Sequence, residues 1–245
     1  TGITKDVNVN AAGGSEKFKF YTSGAYFDQK GIVIGSDFKR YSGKINISND
    51  VNEFFSFGIN STLARSDQNT PAGAGGGANP VRFADITSNI YSLYVRDAQG
   101  NPVLDAQGKP LYNYVNPVSP DFNPVGLNEL DEYNTQTTRL SAIPYVQAKF
   151  LNGFTAKAQL GFEYNGLRER QFYNKLHGNG VSVNGRGYRY SREDVTTTYV
   201  NTLNYTKSIN NHNFDILVGQ EAFKNKLDDV YAQATNFAFP RAEEL

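Results

Sequence analysis

Hydrophobic and polar positions alternate with a period of two through most of the chain, most clearly over residues 38–65, FKRYSGKINISNDVNEFFSFGINSTLAR. Tyr41, Gly43, Ile45 and Ile47 fall on one face of a strand, and Arg40, Ser42, Lys44 and Asn46 on the other. After the polar turn Asn49-Asp50-Val51-Asn52-Glu53, Phe55, Phe57, Ile59, Ser61 and Leu63 repeat the pattern against Ser56, Gly58, Asn60, Thr62 and Ala64. β-Branched and aromatic side chains, with Gly43 and Gly58 inside, disfavour a helix. Each arm reaches the length of about 9–11 residues that a tilted strand needs to cross a bilayer.

The alternation predicts a preceding hairpin, with Val7, Val9 and Ala11 on one face and a return over residues 18–29 whose aromatics occupy both faces and leave its register open. Residues 30–37 hold Gly31 and Gly35 and read as a loop. A long loop then spans 66–132, opening on a Gly- and Pro-rich stretch that cannot hold a regular element over 71–80. Within it Asp97-Ala-Gln-Gly recurs as Asp105-Ala-Gln-Gly. Two successive turns explain this better than a cation site, because the alternating oxygen ligands of a calcium loop are missing. Tyr91, Tyr94, Tyr112 and Tyr114 on this loop are candidate contacts to a ligand or partner, since tyrosine offers a flat apolar face and a hydroxyl at small entropic cost. The alternative is that they pack on neighbouring loops.

Alternation resumes over 133–150, where Pro144 implies a bulge or an irregular ladder. Asn152-Gly153 predicts a type I′ hairpin turn. Beyond it Ala156, Leu160 and Phe162 oppose Lys157, Gln159 and Glu163. A second loop-rich excursion over 166–194 interleaves arginines with aromatics. Arg186, Tyr188 and Tyr190 are candidate binding residues there, although a solvated extension of two strands is the favoured reading. Strands over 195–208 and 214–224 flank a polar turn, and 225–245 shows no clear periodicity. The sum is eight strands whose short connections, near Ser15, Asp50, Asn152 and Asn210, alternate with longer ones near Ile32, Asn101 and Asn179. This predicts an all-β fold, an antiparallel transmembrane β-barrel segment with long extracellular loops. Ile45, Ile47, Phe57, Ile59, Leu63, Ala156, Leu160 and Phe162 should face lipid, and Lys44, Asn46, Asn60, Lys157, Gln159 and Glu163 the lumen.

Composition agrees. Aromatics make up 13% of the 245 residues while mean hydropathy stays at −0.52, as alternating strands require. The 24 basic and 24 acidic residues cancel, which argues against nucleic acid as a partner. Cysteine is absent, so disulfide and thiolate chemistry are excluded. Methionine is absent too, and the start at Thr1 without a leader reads as a mature or internal segment. No hydrolase, metalloprotease or phosphate-loop motif occurs, His177 and His212 read as surface residues, and no enzyme, metal or cofactor is expected.

The segments SGAYFDQKGIVIGSDFKRYSGKINI and NTLNYTKSINNHNFDILVGQE, with the Asn-Gly hairpin between them, resemble the barrel of SusC/RagA-type TonB-dependent outer-membrane transporters. The resemblance covers most of the strand-forming chain. It implies a barrel of about 22 strands with a plugged lumen in the outer membrane of a Gram-negative bacterium. It further implies contact with outer-membrane lipids, energy from the TonB complex, and import of oligosaccharide or peptide cargo together with a SusD-like surface lipoprotein. Residues 1–245 would then be part of one barrel domain. They hold no TonB box or plug domain, and they close on Arg-Ala-Glu-Glu-Leu instead of an aromatic strand, so coupling residues cannot be assigned. A small passive barrel complete in itself and a soluble carbohydrate-binding β-sandwich are the alternatives.

Overall fold

The structure, a computed structural model, describes residues 2–73, 76–115 and 122–238. One antiparallel sheet contains eight strands in chain order: β1 (Ile3–Gly14), β2 (Phe18–Lys30), β3 (Asp37–Asp50), β4 (Phe55–Asn69), β5 (Glu132–Phe150), β6 (Phe154–Tyr173), β7 (Arg186–Ile209) and β8 (His212–Thr235). Two short helices, α1 (Pro80–Ile86) and α2 (Pro124–Leu127), lie between β4 and β5. Among the described residues no ladder joins β1 to β8, so the strands form an open, single-layered wall. This corrects both alternatives: a complete small barrel would close on itself, and a sandwich would hold two sheets.

Register assigns the faces. Gly14, Lys19, Ser48, Gly58, Tyr145, Gln159, Val200 and Glu221 are paired strand to strand in one continuous row, and directly paired side chains share a face. The neighbouring row on the opposite face reads Ala11, Thr22, Ile45, Ser61, Ala142, Phe162, Thr197, Lys224. All eight residues expected to face lipid lie on this second, apolar face, and all six expected in the lumen lie on the first. Pairing also settles the open register of β2. Val7 opposite Tyr26 and Thr22 opposite Ile45 place Phe18, Phe20 and Tyr26 on the apolar face, and Tyr21 and Phe27 on the polar one.

Aromatic rings edge the apolar face at two levels. Phe150 stacks on Phe154, which contacts Tyr205, and Phe18 meets Phe20 near the short turns; Tyr26 meets Tyr41 towards the other end. Along β6 the two levels, Phe154 and Tyr164, are about ten residues apart. With a rise of about 3.3 Å per residue and a tilt near 40°, that is about 25 Å of height, the thickness of a barrel's apolar band.

Four local expectations change. The 166–194 excursion is mostly strand, since β6 runs to Tyr173 and β7 starts at Arg186, leaving a connection of 174–185 with one 3-10 turn (Gly178–Val183). Beyond the apolar band both faces are polar, so alternation persists in the backbone but leaves no contrast in the sequence. For the same reason β8 extends to Thr235; the terminal residues 239–245 lie outside the described part. The 66–132 loop shortens to 70–131, because β4 continues to Asn69 and β5 begins at Glu132. The Asn152-Gly153 turn is a three-residue loop closed by Phe150 and Phe154, with positive φ at Leu151 (40°) and Gly153 (109°) instead of at Asn152. At Pro144 the β5–β6 ladder omits Ile143 and Pro144 and resumes at Tyr145–Gln159 in unchanged register, an interruption without a bulge.

Candidate functional site

The polar face carries cations held over aromatic rings. Lys157 Nζ sits 4.7 Å from the Tyr145 ring centroid, Lys44 Nζ 6.0 Å from that of Tyr21, and the Arg40 guanidinium 5.7 Å from that of Phe27. Each pair joins adjacent strands or neighbouring rows of the same face, which lets a charge stay on a half-dry wall. Above them runs a chain of tyrosines: Tyr133 to Tyr173 at 5.6 Å, Tyr173 to Tyr188 at 6.0 Å, and Tyr188 to Tyr231 at 6.0 Å between centroids. Of the candidates from sequence, Tyr188 belongs to this chain, Arg186 Nη1 donates to the Tyr188 hydroxyl at 3.4 Å, and the Tyr190 hydroxyl donates to Asp229 Oδ2 at 3.4 Å.

Connection 70–131 folds into a cap over one end of this face. Its middle is a tongue of three short extended segments joined by the two Asp-Ala-Gln-Gly turns, with bridges Tyr94–Tyr112, Arg96–Pro102 and Leu104–Pro110. Asp97 Oδ1 accepts from the Gln99 and Asn101 amides, and Asp105 Oδ1 from those of Gln107 and Lys109. Gly100 and Gly108 take positive φ (84° and 77°). The repeat is therefore two Asx-type turns. The Asn101 amide is the main reason the exposed Asp97 carboxyl is held below its usual range.

The base of the cap rests on asparagines that sequence reasoning missed. Asn123, fully buried, donates from Nδ2 to the Leu93 and Asn113 carbonyls (2.8 and 3.0 Å) and accepts at Oδ1 from the Val125 and Gly126 amides at the start of α2. Asn79 caps α1 likewise and donates to the Ala72 carbonyl at 2.7 Å. Each precedes a proline at the first helical position, and this Asn-Pro pairing was the available signal. Asn174, also fully buried, ties the cap to the β6–β7 connection: its amide and Nδ2 both donate to Asp131 Oδ1, at 2.8 and 2.6 Å. Burial raises the Asp131 carboxyl to about 6, against the lowering effect of the Asn174 bonds. Ala72, Ala78 and Leu127 form a small buried cluster, with Tyr114, Phe122 and Tyr133 packed against it.

The four cap tyrosines are engaged with each other and with the cap. Tyr91 donates to the Asn113 carbonyl and meets Phe83 edge-on; Tyr94 stacks on Tyr112 at 5.4 Å; Tyr112 donates to Glu129 Oε1 at 2.8 Å. Tyr114 lies flat on His177 at 3.6 Å, so His177 is a half-buried packing residue instead of a surface one, and its pKa is lowered by burial. The bond to Glu129 is the main reason the Tyr112 hydroxyl is pushed up to about 12; burial does the same for Tyr114. All four remain partly exposed. Through Tyr114 and Tyr133, which share the Ala72–Ala78–Leu127 cluster, cap and wall tyrosines meet.

A two-faced antiparallel wall, apolar and ring-edged on one side, polar on the other and capped at one end by a long folded loop, is a segment of a transmembrane β-barrel. No family model matches the chain. It is 29% identical over 249 residues to TonB-dependent receptor P3 of Formosa agariphila, covering 97% of this chain and 23% of that protein. It is 27% identical over 232 residues to TonB-dependent receptor SusC of Bacteroides thetaiotaomicron, covering 90% of this chain and 23% of SusC. It thus spans about a quarter of the length of these relatives. Among solved structures it superposes on the RagAB peptide importer in the open-open state with a TM-score of 0.74 at 23% identity, and in the closed-closed state with 0.71 at 22%, covering 97% and 96% of this chain and 26% of the other in each case. In sequence the chain is similar to about a quarter of TonB-dependent receptors, SusC among them, and in fold to part of the RagAB importer.

Proposed function

We propose that these residues form part of the wall and mouth of an outer-membrane nutrient importer in a Gram-negative bacterium, energised through the TonB complex and working with a SusD-like surface lipoprotein. No bond chemistry is assigned to the chain. The observation that carries the reading is the register: one continuous sheet, in constant register across the interruption at Pro144, has every expected lumenal residue on a polar face and every expected lipid residue on an apolar one, in a sequence similar to TonB-dependent receptors. Cargo is an oligosaccharide or peptide. Tyr91, Tyr94, Tyr112 and Tyr114 in the cap, with Arg186, Tyr188 and Tyr190 on the wall beneath, contact cargo or the lipoprotein, because partly exposed rings in a rigid frame bind at low entropic cost.

The test is uptake of labelled oligosaccharide and peptide pools by cells with and without TonB, alongside co-purification of the lipoprotein. Import is expected to vanish without TonB; import that persists means a passive pore. Excising residues 95–111 removes the tongue and leaves the wall ladders intact, so the barrel should still assemble while uptake or lipoprotein recovery falls. Unchanged uptake and unchanged recovery would limit the tongue to packing.

A further inference from the structure

We infer that the outward face of the wall, just beyond its apolar band, carries a site for the phosphate group of an outer-leaflet lipid, centred on Arg65 and Arg168. The inference rests on the outer-membrane reading above and goes beyond it, because this face is opposite the lumen and out of reach of cargo. Arg65 follows Leu63 on the apolar face of β4, and Arg168 follows Tyr164 and Gly166 on that of β6. The two arginines therefore stand immediately above the band, at the level of lipid headgroups. Gly166, on the same face, is buried under the Tyr164 ring, whose hydroxyl lies where a Cβ would project. Beside that ring is a dimple of about 160 Å³ lined by Arg65, Gln136, Tyr164, Arg168 and Glu193 among others, ample for a phosphate. A second hollow of about 400 Å³ shares Arg168 and adds Arg170 and Arg189.

Among its lining residues the hollow sets Arg65, Arg168 and Arg192 against one carboxylate, Glu193. Asp67 accepts from Asn134 Nδ2 and Gln136 Nε2 at 2.7 and 2.8 Å, Glu132 pairs with Arg170 at 3.4 Å, and Glu193 accepts from the Tyr164 hydroxyl at 3.4 Å. Arg65 and Arg168 are exposed, and neither makes an ion pair or hydrogen bond among the described residues. Two planar guanidinium forks facing one hollow match the oxygens of a phosphate better than any neutral headgroup. Exposed arginines needed only for solubility would have no reason to line one hollow at this height.

The full-length transporter is reconstituted in vesicles of neutral phospholipid containing either phosphorylated lipid A or the same glycolipid with its phosphate removed, and retained lipid is counted by native mass spectrometry. Wild type is expected to retain the phosphorylated form preferentially. The double variant Arg65→Gln/Arg168→Gln should lose that preference roughly tenfold, as expected for the loss of charge-assisted bonds. The lumenal variant Arg139→Gln should retain it. Equal retention of both lipids by wild type, equal loss in the lumenal variant, or displacement of the lipid by millimolar inorganic phosphate alone would overturn the proposal. Failure of wild type to enter the membrane would instead overturn the barrel reading beneath it.

Discussion

Ser61 sits on the apolar face, yet its hydroxyl donates to the Ser141 carbonyl at 3.0 Å across the ladder, so it presents no unpaired donor to lipid. Ile59 and Leu160, in the neighbouring row of that face, have no such outlet if replaced by a charge. Lysine at either is expected to cost about 2–4 kcal/mol near the bilayer midplane, and lysine at Asn60 or Gln159 close to nothing. Urea titration of the folded transporter in vesicles reads the difference, and equal tolerance would mean the faces are exchanged. Asp131 gives a pH signature. Its folded-state pKa, about 6, is above the ordinary carboxylate value because burial penalises the charge. The neutral form is therefore the one the fold prefers: the contribution is fully present below about pH 4 and is lost as pH rises through about 6, with a size of about 1–3 kcal/mol. Protection of the Asn174 amide, corrected for intrinsic exchange, should be greater at pH 5 than at pH 7.5. Asp131→Asn should flatten that dependence.

The β5–β6 hairpin turns on one glycine. Gly153 has φ of 109°, and a Cβ there would lie 2.3 Å from the Thr206 carbonyl oxygen of β7. Gly153→Ala should therefore destabilise the hairpin by about 1–3 kcal/mol and slow formation of the heat-resistant folded species seen on gels. The sequence pointed to this turn through Asn152-Gly153 but placed the positive φ one residue off, since the loop length depends on which aromatic pair closes it. Strands within the apolar band were legible for a simple reason: one wet face and one greasy face write a period of two into the chain. Beyond the band, in Arg168-Glu169-Arg170 or Arg189-Tyr190-Ser191-Arg192, both faces meet water and the period disappears, although the ladder continues. The cap was legible only in part. Its turns announced themselves in the Asp-Ala-Gln-Gly repeat, but the clamps at Asn123 and Asn174 depend on residues 30 and 43 positions distant.

At the scale of the molecule, alternating connections put Asn101 and Asn179 at one end of the wall and Asn152 at the other. Peptide tags inserted at the first two should be reachable by antibody on intact cells, and a tag at Asn152 should not; the reverse would invert the orientation. Register also gives the inclination of the strands. Relative to the row from Gly14 to Glu221, the short-turn end descends about nine residues by His212. At about 3.3 Å per residue and about 4.8 Å per strand spacing, that is a tilt of about 40°. Lys224 agrees independently: it shares a row with Ala11 and Ile45, so the greasy band has slid towards the short turns by the time it reaches β8.

Strand length grows from 13 residues in β2 to 24 in β8, and with the short turns level the far ends cannot be. The tilt and the added residues together lift the end of β8 about 28 Å above that of β2. The edge of the wall is cut obliquely, a low sill along β2 and a parapet along β7 and β8. A flat body laid across that edge would slope down towards β2.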